Sequence, residues 1–325
     1  MRVYCVILSP QVELRVVDQM MVIFNRSAML RSIRDVLAVA ILVGSLMSCT
    51  KESSSVPSPE IMTITTITAG TECIDTKTQY DPSERVFSWL EGDAINIFFG
   101  SSVSSKFVCQ NSGKIAQFKG SIDVVTGGGE GLDESTSLWG VYPYSPDTVC
   151  DGSAITYTLP SVQPAEAGTI PSGLNPLLAR SGNFLLSFYN VCGTLRFTVS
   201  NPDITKVTIR GNNGEIVAGR VKITKDVTPV VSEVVDGVAE LTMIAPNGGC
   251  FEVGPDYYFV MYPNDFTQGL TLTFYKEGYR ATYEQKAYTL QRNGTARLRD
   301  KDKDLTFEPY TLDAWEEGEK IEGEI

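Results

Sequence analysis

Histidine does not occur anywhere in this chain of 325 residues. That absence excludes a His-dependent triad, a His general base and a His metal ligand. The seven cysteines never form a CxxC pair, so the usual zinc and redox spacings are missing too. Gly127-Gly128-Gly129-Glu130-Gly131 lacks the Lys-Ser/Thr that completes a phosphate-binding loop and reads as a flexible hairpin loop. Asp300, Asp302 and Asp304 alternate, but the glycine and closing glutamate of a calcium loop are absent, so they read as a solvated charge run. Acidic pairs such as Glu316-Glu317 fall in the C-terminal tail, and nothing marks the facing carboxylates that a glycosidase needs. No metal, cofactor or catalytic residue is expected.

Two further scarcities bear on fold and location. No apolar run reaches the ~20 residues that a membrane-spanning helix requires. After residue 48 no amphipathic stretch of helical length appears either, so the body of the chain carries no helix signal. The formal net charge is −12. The first 48 residues hold five Arg against Glu13, Asp18 and Asp35, so the remainder is more acidic still. Such a body repels phosphate backbones and makes nucleic acid an unsuitable partner.

What is present begins with an export signal. Residues 29–49 read MLRSIRDVLAVAILVGSLMSC. Arg31 and Arg34 form a basic start, and Val36 to Leu46 form an apolar run of signal-peptide length. Leu46-Met47-Ser48-Cys49 then resembles a bacterial lipobox, which predicts cleavage between Ser48 and Cys49 and lipidation of the Cys49 thiol. The competing interpretation is an ordinary cleaved signal with an incidental cysteine. Thr50 to Glu60 is a polar, Ser/Pro-rich tether. A diacyl group with a further acyl chain holds a protein stably on a membrane. The signal opens at Met29, so residues 1–28 are expected to lie ahead of the true start.

From Ile61 onward, short strands alternate with turns. Leu195-Arg196-Phe197-Thr198-Val199 and Leu270-Thr271-Leu272-Thr273-Phe274 alternate cleanly, one face apolar and one polar. Breakers such as Asn212-Asn213-Gly214 and Asn247-Gly248-Gly249 separate the strands. Strands at this spacing without helices point to β-sandwiches. The division expected is a signal segment over 1–48, a tether over 49–60, one sandwich over 61–180, a second over 181–312 and an acidic tail over 313–325. The boundary is placed after the Pro/Gly-rich passage Pro160–Pro176, which reads as a long loop. Trp89, Ile95, Ile97, Trp139 and Tyr142 have the character of core. Cys73, Cys109, Cys150, Cys192 and Cys250 read as small buried hydrophobes, with one or two disulfides as the alternative.

Five segments resemble the fimbrillin-like (Mfa-like) family of surface lipoproteins and fimbrial subunits of Gram-negative bacteria. They are Phe87–Phe98 (FSWLEGDAINIF), Leu138–Tyr144 (LWGVYPY), Leu159–Gln163 (LPSVQ), Phe188–Phe197 (FYNVCGTLRF), and Ile209–Asn212 (IRGN) with Ile216–Gly219 (IVAG). They come in the family's order and cover most of residues 60–315. The resemblance implies two tandem transthyretin-like β-sandwich domains, an outer-membrane or fimbrial location, and a role in fimbria formation, anchoring or adhesion. It also implies that polymerising subunits lose their first strand by proteolysis after a basic residue and accept a donor strand from a neighbour. Here Ile61–Thr68 is the candidate first strand and Arg85 the candidate cut site, with Lys77 as the alternative. Lys303–Trp315 is the candidate donor, although Pro309 interrupts its ladder. Alternatively, Arg85 is an ordinary surface charge and the first strand stays in place, as in an anchor subunit. A second function class is a glycan-binding surface lipoprotein using exposed aromatics such as Tyr257, Tyr258 or Tyr275. A hydrolase is the third.

Overall fold

A computed structural model of the chain describes residues 60–72, 88–100, 103–126 and 137–310. They belong to the unit Pro57–Ile325. That unit is all-β. The one helical element among the described residues is a 3-10 turn at Pro246–Gly248, and none of their helices is long and apolar enough to cross a membrane.

The strands run in order as β1 (Glu60–Thr71), β2 (Ala94–Phe99), β3 (Ser105–Cys109), β4 (Ile115–Thr126) and β5 (Leu138–Tyr142). Then come β6 (Val149–Cys150), β7 (Ile155–Leu159), β8 (Val162–Pro164), β9 (Leu177–Ser181) and β10 (Leu185–Asn190). The second half holds β11 (Gly193–Thr198), β12 (Lys206–Gly211), β13 (Ala218–Lys225), β14 (Pro229–Val238), β15 (Glu240–Ile244) and β16 (Asp256–Met261). It ends with β17 (Asn264–Phe266), β18 (Leu270–Lys276), β19 (Tyr279–Gln285), β20 (Tyr288–Leu290), β21 (Thr295–Leu298) and β22 (Glu308–Pro309).

Seven strands close into a barrel in the order β1-β10-β9-β5-β2-β3-β4. This differs from the open sandwich expected for the first half: β1 bonds to β4 on one side and to β10 on the other, so no edge remains. The second half contains a six-stranded sheet β22-β19-β18-β12-β15-β8, a four-stranded sheet β14-β13-β7-β6, a three-stranded sheet β16-β11-β21 and the pair β17-β20.

The expected boundary at 180/181 does not match this pairing. β9 and β10 lie on either side of it, yet they bond to each other in the barrel through Tyr189–Leu178 and Asn190–Leu177. Conversely β7, before it, pairs with β13, and β8 pairs with β15. The Pro/Gly-rich passage is a return crossing, not a linker, and it buries Ile170 and Leu174 in the larger core.

Two cores result. Trp89 sits at the centre of the barrel core, edge-on to Phe118, Tyr142 and Phe188 at ring-centroid distances of 5.0, 5.5 and 5.2 Å. β5 is buried on both faces: Leu138 and Tyr142 point into the barrel, while Trp139 and Val141 point into the second core. That double burial explains why Leu138–Tyr142 reads as a continuous apolar run. The core assignments for Trp89, Ile95, Ile97, Trp139 and Tyr142 hold. Cys109, Cys150 and Cys192 are buried free thiols and Cys250 an exposed one. Burial pushes the Cys150 thiol up to about 11, which keeps it protonated and inert. Cys73 lies outside the described residues.

Candidate functional site

The first strand is the element that the sequence ties to function. Ile64 faces the core, and so do Ile67 and Ala69, although an uninterrupted strand would put Ile64 and Ile67 on opposite faces. A bulge between Ile64 and Thr66 resets the register against β4. Ile67 then lies opposite Phe118, and Ala69 beside Leu186 of β10. Without β1, these strands would lose main-chain partners and expose an apolar slot.

A polar clasp holds the far end of β1. The Glu72 N–H donates to the Phe188 carbonyl at 2.9 Å. The Glu72 carboxylate accepts from the Asn190 N–H at 2.6 Å, and Arg292 donates to both of its oxygens. The same guanidinium donates to the Asn190 carbonyl at 2.9 Å. Behind this pair, the Asn190 amide donates to Asn293 Oδ1 at 3.0 Å and accepts from Asn175 Nδ2. The three asparagines are buried and linked in a chain, which leaves Asn175 Oδ1 and Asn293 Nδ2 at its two ends without a hydrogen bond among the described residues. Asn293 adopts φ 60° in the turn that presents Arg292, a conformation asparagine tolerates well. The clasp joins the end of β1, the end of β10 and the turn ahead of β21. Sequence reading missed it, because a glutamate, an arginine and three scattered asparagines carry no spacing signal.

The other sequence-derived sites divide. Ser48 and Cys49, and the cut-site candidates Arg85 and Lys77, lie outside the described residues. So do Leu312 and Trp315 of the candidate donor. Its described part is docked on its own chain. Leu305 and Phe307 pack against the second core, and pairing begins at β22, where Glu308 and Pro309 face Arg280 and Tyr279. Within the candidate donor, strand pairing therefore starts only after Leu305 and Phe307. Its apolar side chains settle into the sheet margin, and the Pro309 ring occupies an edge position. Tyr310 then packs against Tyr275 at 5.4 Å.

Two of the three aromatics expected to make glycan contacts are buried. Tyr257 and Tyr258 are only 1% and 3% exposed. They lie on β16, which is buried on both faces. Tyr257 packs on Phe197 and Phe251 and accepts the Glu252 N–H. Tyr275 alone remains at the surface, half-buried.

The aspartate run also departs from expectation. Asp302 is buried and accepts the Ser200 and Asn201 N–H groups, while Asp300 bonds to Thr198. These two aspartates cap the end of β11; Asp304 is exposed. Among the described residues, no three His, Cys, Asp or Glu side chains gather into a cation site.

No family model matches the sequence, and no curated protein matches it. Solved structures do. A candidate cell adhesion protein from Bacteroides ovatus is 12% identical, over 76% of this chain and 95% of that one, with a TM-score of 0.46. A candidate cell adhesion protein from Bacteroides uniformis is 15% identical, over 76% and 99%, with a TM-score of 0.45. The tip fimbrial protein Mfa3 from Porphyromonas gingivalis is 9% identical, over 77% and 99%, with a TM-score of 0.38. The structural neighbours are adhesion and fimbrial proteins.

Proposed function

We propose that this chain is a lipid-anchored surface subunit of a fimbrial or adhesive assembly at the outer membrane, held through Cys49, with β1 retained as the link between lipid and body. The observation that carries this reading is the setting of β1. It starts at Glu60, only a short tether beyond Cys49, and it is bonded on both sides inside a closed barrel. Its far end is held by the Glu72–Arg292 pair. A pull on the tether therefore runs along a strand, and many hydrogen bonds share the load at once. The lipobox order and the five family-like segments support the same reading.

The partners are other fimbrial subunits. In a polymerising stalk subunit, cleavage after Arg85 would release β1 for donor-strand exchange. Here such release would also break the clasp and leave Arg292 without its carboxylate. Donation of Lys303–Trp315 to a neighbour would require Leu305 and Phe307 to leave the second core. Both costs favour the anchor role. Immunogold electron microscopy of surface filaments tests the assignment. Label at filament bases supports an anchor, whereas label along the whole shaft contradicts it. Metabolic fatty-acid labelling tests the lipid: incorporation should be abolished by Cys49→Ser.

A further inference from the structure

We propose that Arg292 selects the strand that fills the β1 place in the barrel. The occupant must bring a carboxylate to the Glu72 position, and Leu312–Glu317 of a second copy is the segment that does so. The inference deepens the assembly reading on which it rests. It depends neither on the lipid nor on retention of β1.

β1 shows what its place demands. Ile67 is fully buried opposite Phe118. Ala69 is fully buried between Ala116 of β4 and Leu186 of β10, so a larger side chain would overpack there. Thr68 and Gly70 alternate with them on the outer face. A Cβ on Gly70 would meet only Ile115, at 3.9 Å, so that position has room for a side chain. Glu72 closes the strand in the clasp, where its carboxylate accepts from the Asn190 N–H and from Arg292. The demand is an aliphatic residue, an alanine two places on and a carboxylate three places further.

In the whole sequence that pattern occurs at Ile67-Thr68-Ala69-Gly70-Thr71-Glu72, at Leu312-Asp313-Ala314-Trp315-Glu316-Glu317, and nowhere else. Leu312 takes the Ile67 place, an exchange that conserves volume. Ala314 takes the Ala69 place. Trp315 falls at the open Gly70 position, beside Ile115, which is 67% exposed. Glu317 falls at Glu72. One position fits less well: Glu316 replaces the half-buried Thr71. The chain's own β1 is therefore the stronger occupant. Leu312–Glu317 begins beyond Tyr310, so Leu305, Phe307 and β22 keep their places when a neighbour takes it.

Selection lies at Arg292. Its side chain is 22% exposed, and Glu72 is its ion-pair partner among the described residues. A strand without that carboxylate would leave the guanidinium and the Asn190 N–H short of an acceptor in a place largely closed to water. A site built to hydrogen-bond its ligand rejects an analogue that lacks the group. Main-chain bonds from β4 and β10 hold any extended segment alike, so the side chains carry the discrimination.

The test uses the full mature chain with a protease site introduced between Lys77 and Arg85. Glu317→Gln in the same chain removes the carboxylate from its own segment. After cutting, the chain is refolded from urea with synthetic peptides in excess, and bound peptide is read by native mass spectrometry. A peptide of residues 311–325 should displace the N-terminal piece, less strongly than a peptide of residues 60–72. The Glu317→Gln form of the 311–325 peptide should need at least about a tenfold higher concentration, since charge-assisted hydrogen bonds carry that much. In a chain with Arg292→Gln the two forms should perform alike. In a chain with Arg292→Glu, a Glu317→Arg peptide should outperform the native one. Folding of each chain is checked by circular dichroism with the 60–72 peptide bound, carrying Glu72→Arg for Arg292→Glu. Three results would each overturn the proposal. One is entry of the 60–72 peptide but not of the 311–325 peptide. Another is failure of both to enter, which would show that the slot takes no strand from a second molecule. The third is equal performance of the native and Glu317→Gln peptides against a chain that keeps Arg292.

Discussion

Glu72 and Arg292 are 220 residues apart in sequence and form a two-pronged ion pair across the end of the barrel. Their side chains are 12% and 22% exposed, so the pair is largely but not fully withdrawn from water. Glu72→Ala should destabilise the protein by about 2–3 kcal/mol, somewhat below the figure for a fully buried pair because solvent screens part of the effect. Chemical denaturation of Glu72→Ala, Arg292→Ala and the double variant measures the coupling. Coupling of at least about 1 kcal/mol is expected for groups in direct contact, and purely additive effects would show that the clasp does not hold β1.

Gln163 gives a second test. Its side chain meets β16 as another strand would: Nε2 donates to the Val260 carbonyl at 2.6 Å, and Oε1 accepts the Val260 N–H at 2.9 Å. Gln163 itself is 1% exposed. Gln163→Leu would strand both main-chain groups in the interior, at a cost of about 2–4 kcal/mol. Urea unfolding of the variant checks this.

Gly140 faces Phe188 across the barrel. A Cβ at this position would come within 2.6 Å of the Phe188 ring and 2.9 Å of Leu186. Gly140→Ala should cost about 1–3 kcal/mol by overpacking, visible as a lower urea midpoint.

Asp93 predicts a pH effect. Burial outweighs the hydrogen bonds from the Leu90 N–H and the Tyr142 hydroxyl and holds its carboxyl above the ordinary 3.8. The folded state therefore keeps this proton at a pH where the unfolded chain has lost it. The Asp93 contribution to stability rises as pH falls through the folded value and levels off below 3.8. Asp93→Asn lacks this effect. The stability of the native chain relative to Asp93→Asn should rise as pH falls from neutral towards 4, as read from urea midpoints.

The all-β class and most second-half strands were legible because one-sided burial writes itself as alternation, as in Leu270–Phe274. β14 was not: it is an edge strand with Val230, Val234 and Val235 exposed, so neither face imposes a pattern. β9 was missed because it follows directly on the Pro/Gly-rich passage. The barrel and the crossed domain boundary were hidden for one reason. Each depends on which strands pair, and long-range pairing leaves no local trace. Leu159–Gln163 was legible only as a motif; its physical role is the bond from Gln163 to β16.

The most direct test of the anchor reading is intact-protein and peptide mass spectrometry of the surface-exposed form. Retention of β1 by its clasp predicts a lipid-modified Cys49 still continuous in chain with residues beyond Arg85. A surface form that begins immediately after Arg85, without Cys49 and without Glu60–Thr71, would contradict it and identify the chain as a processed, polymerising subunit.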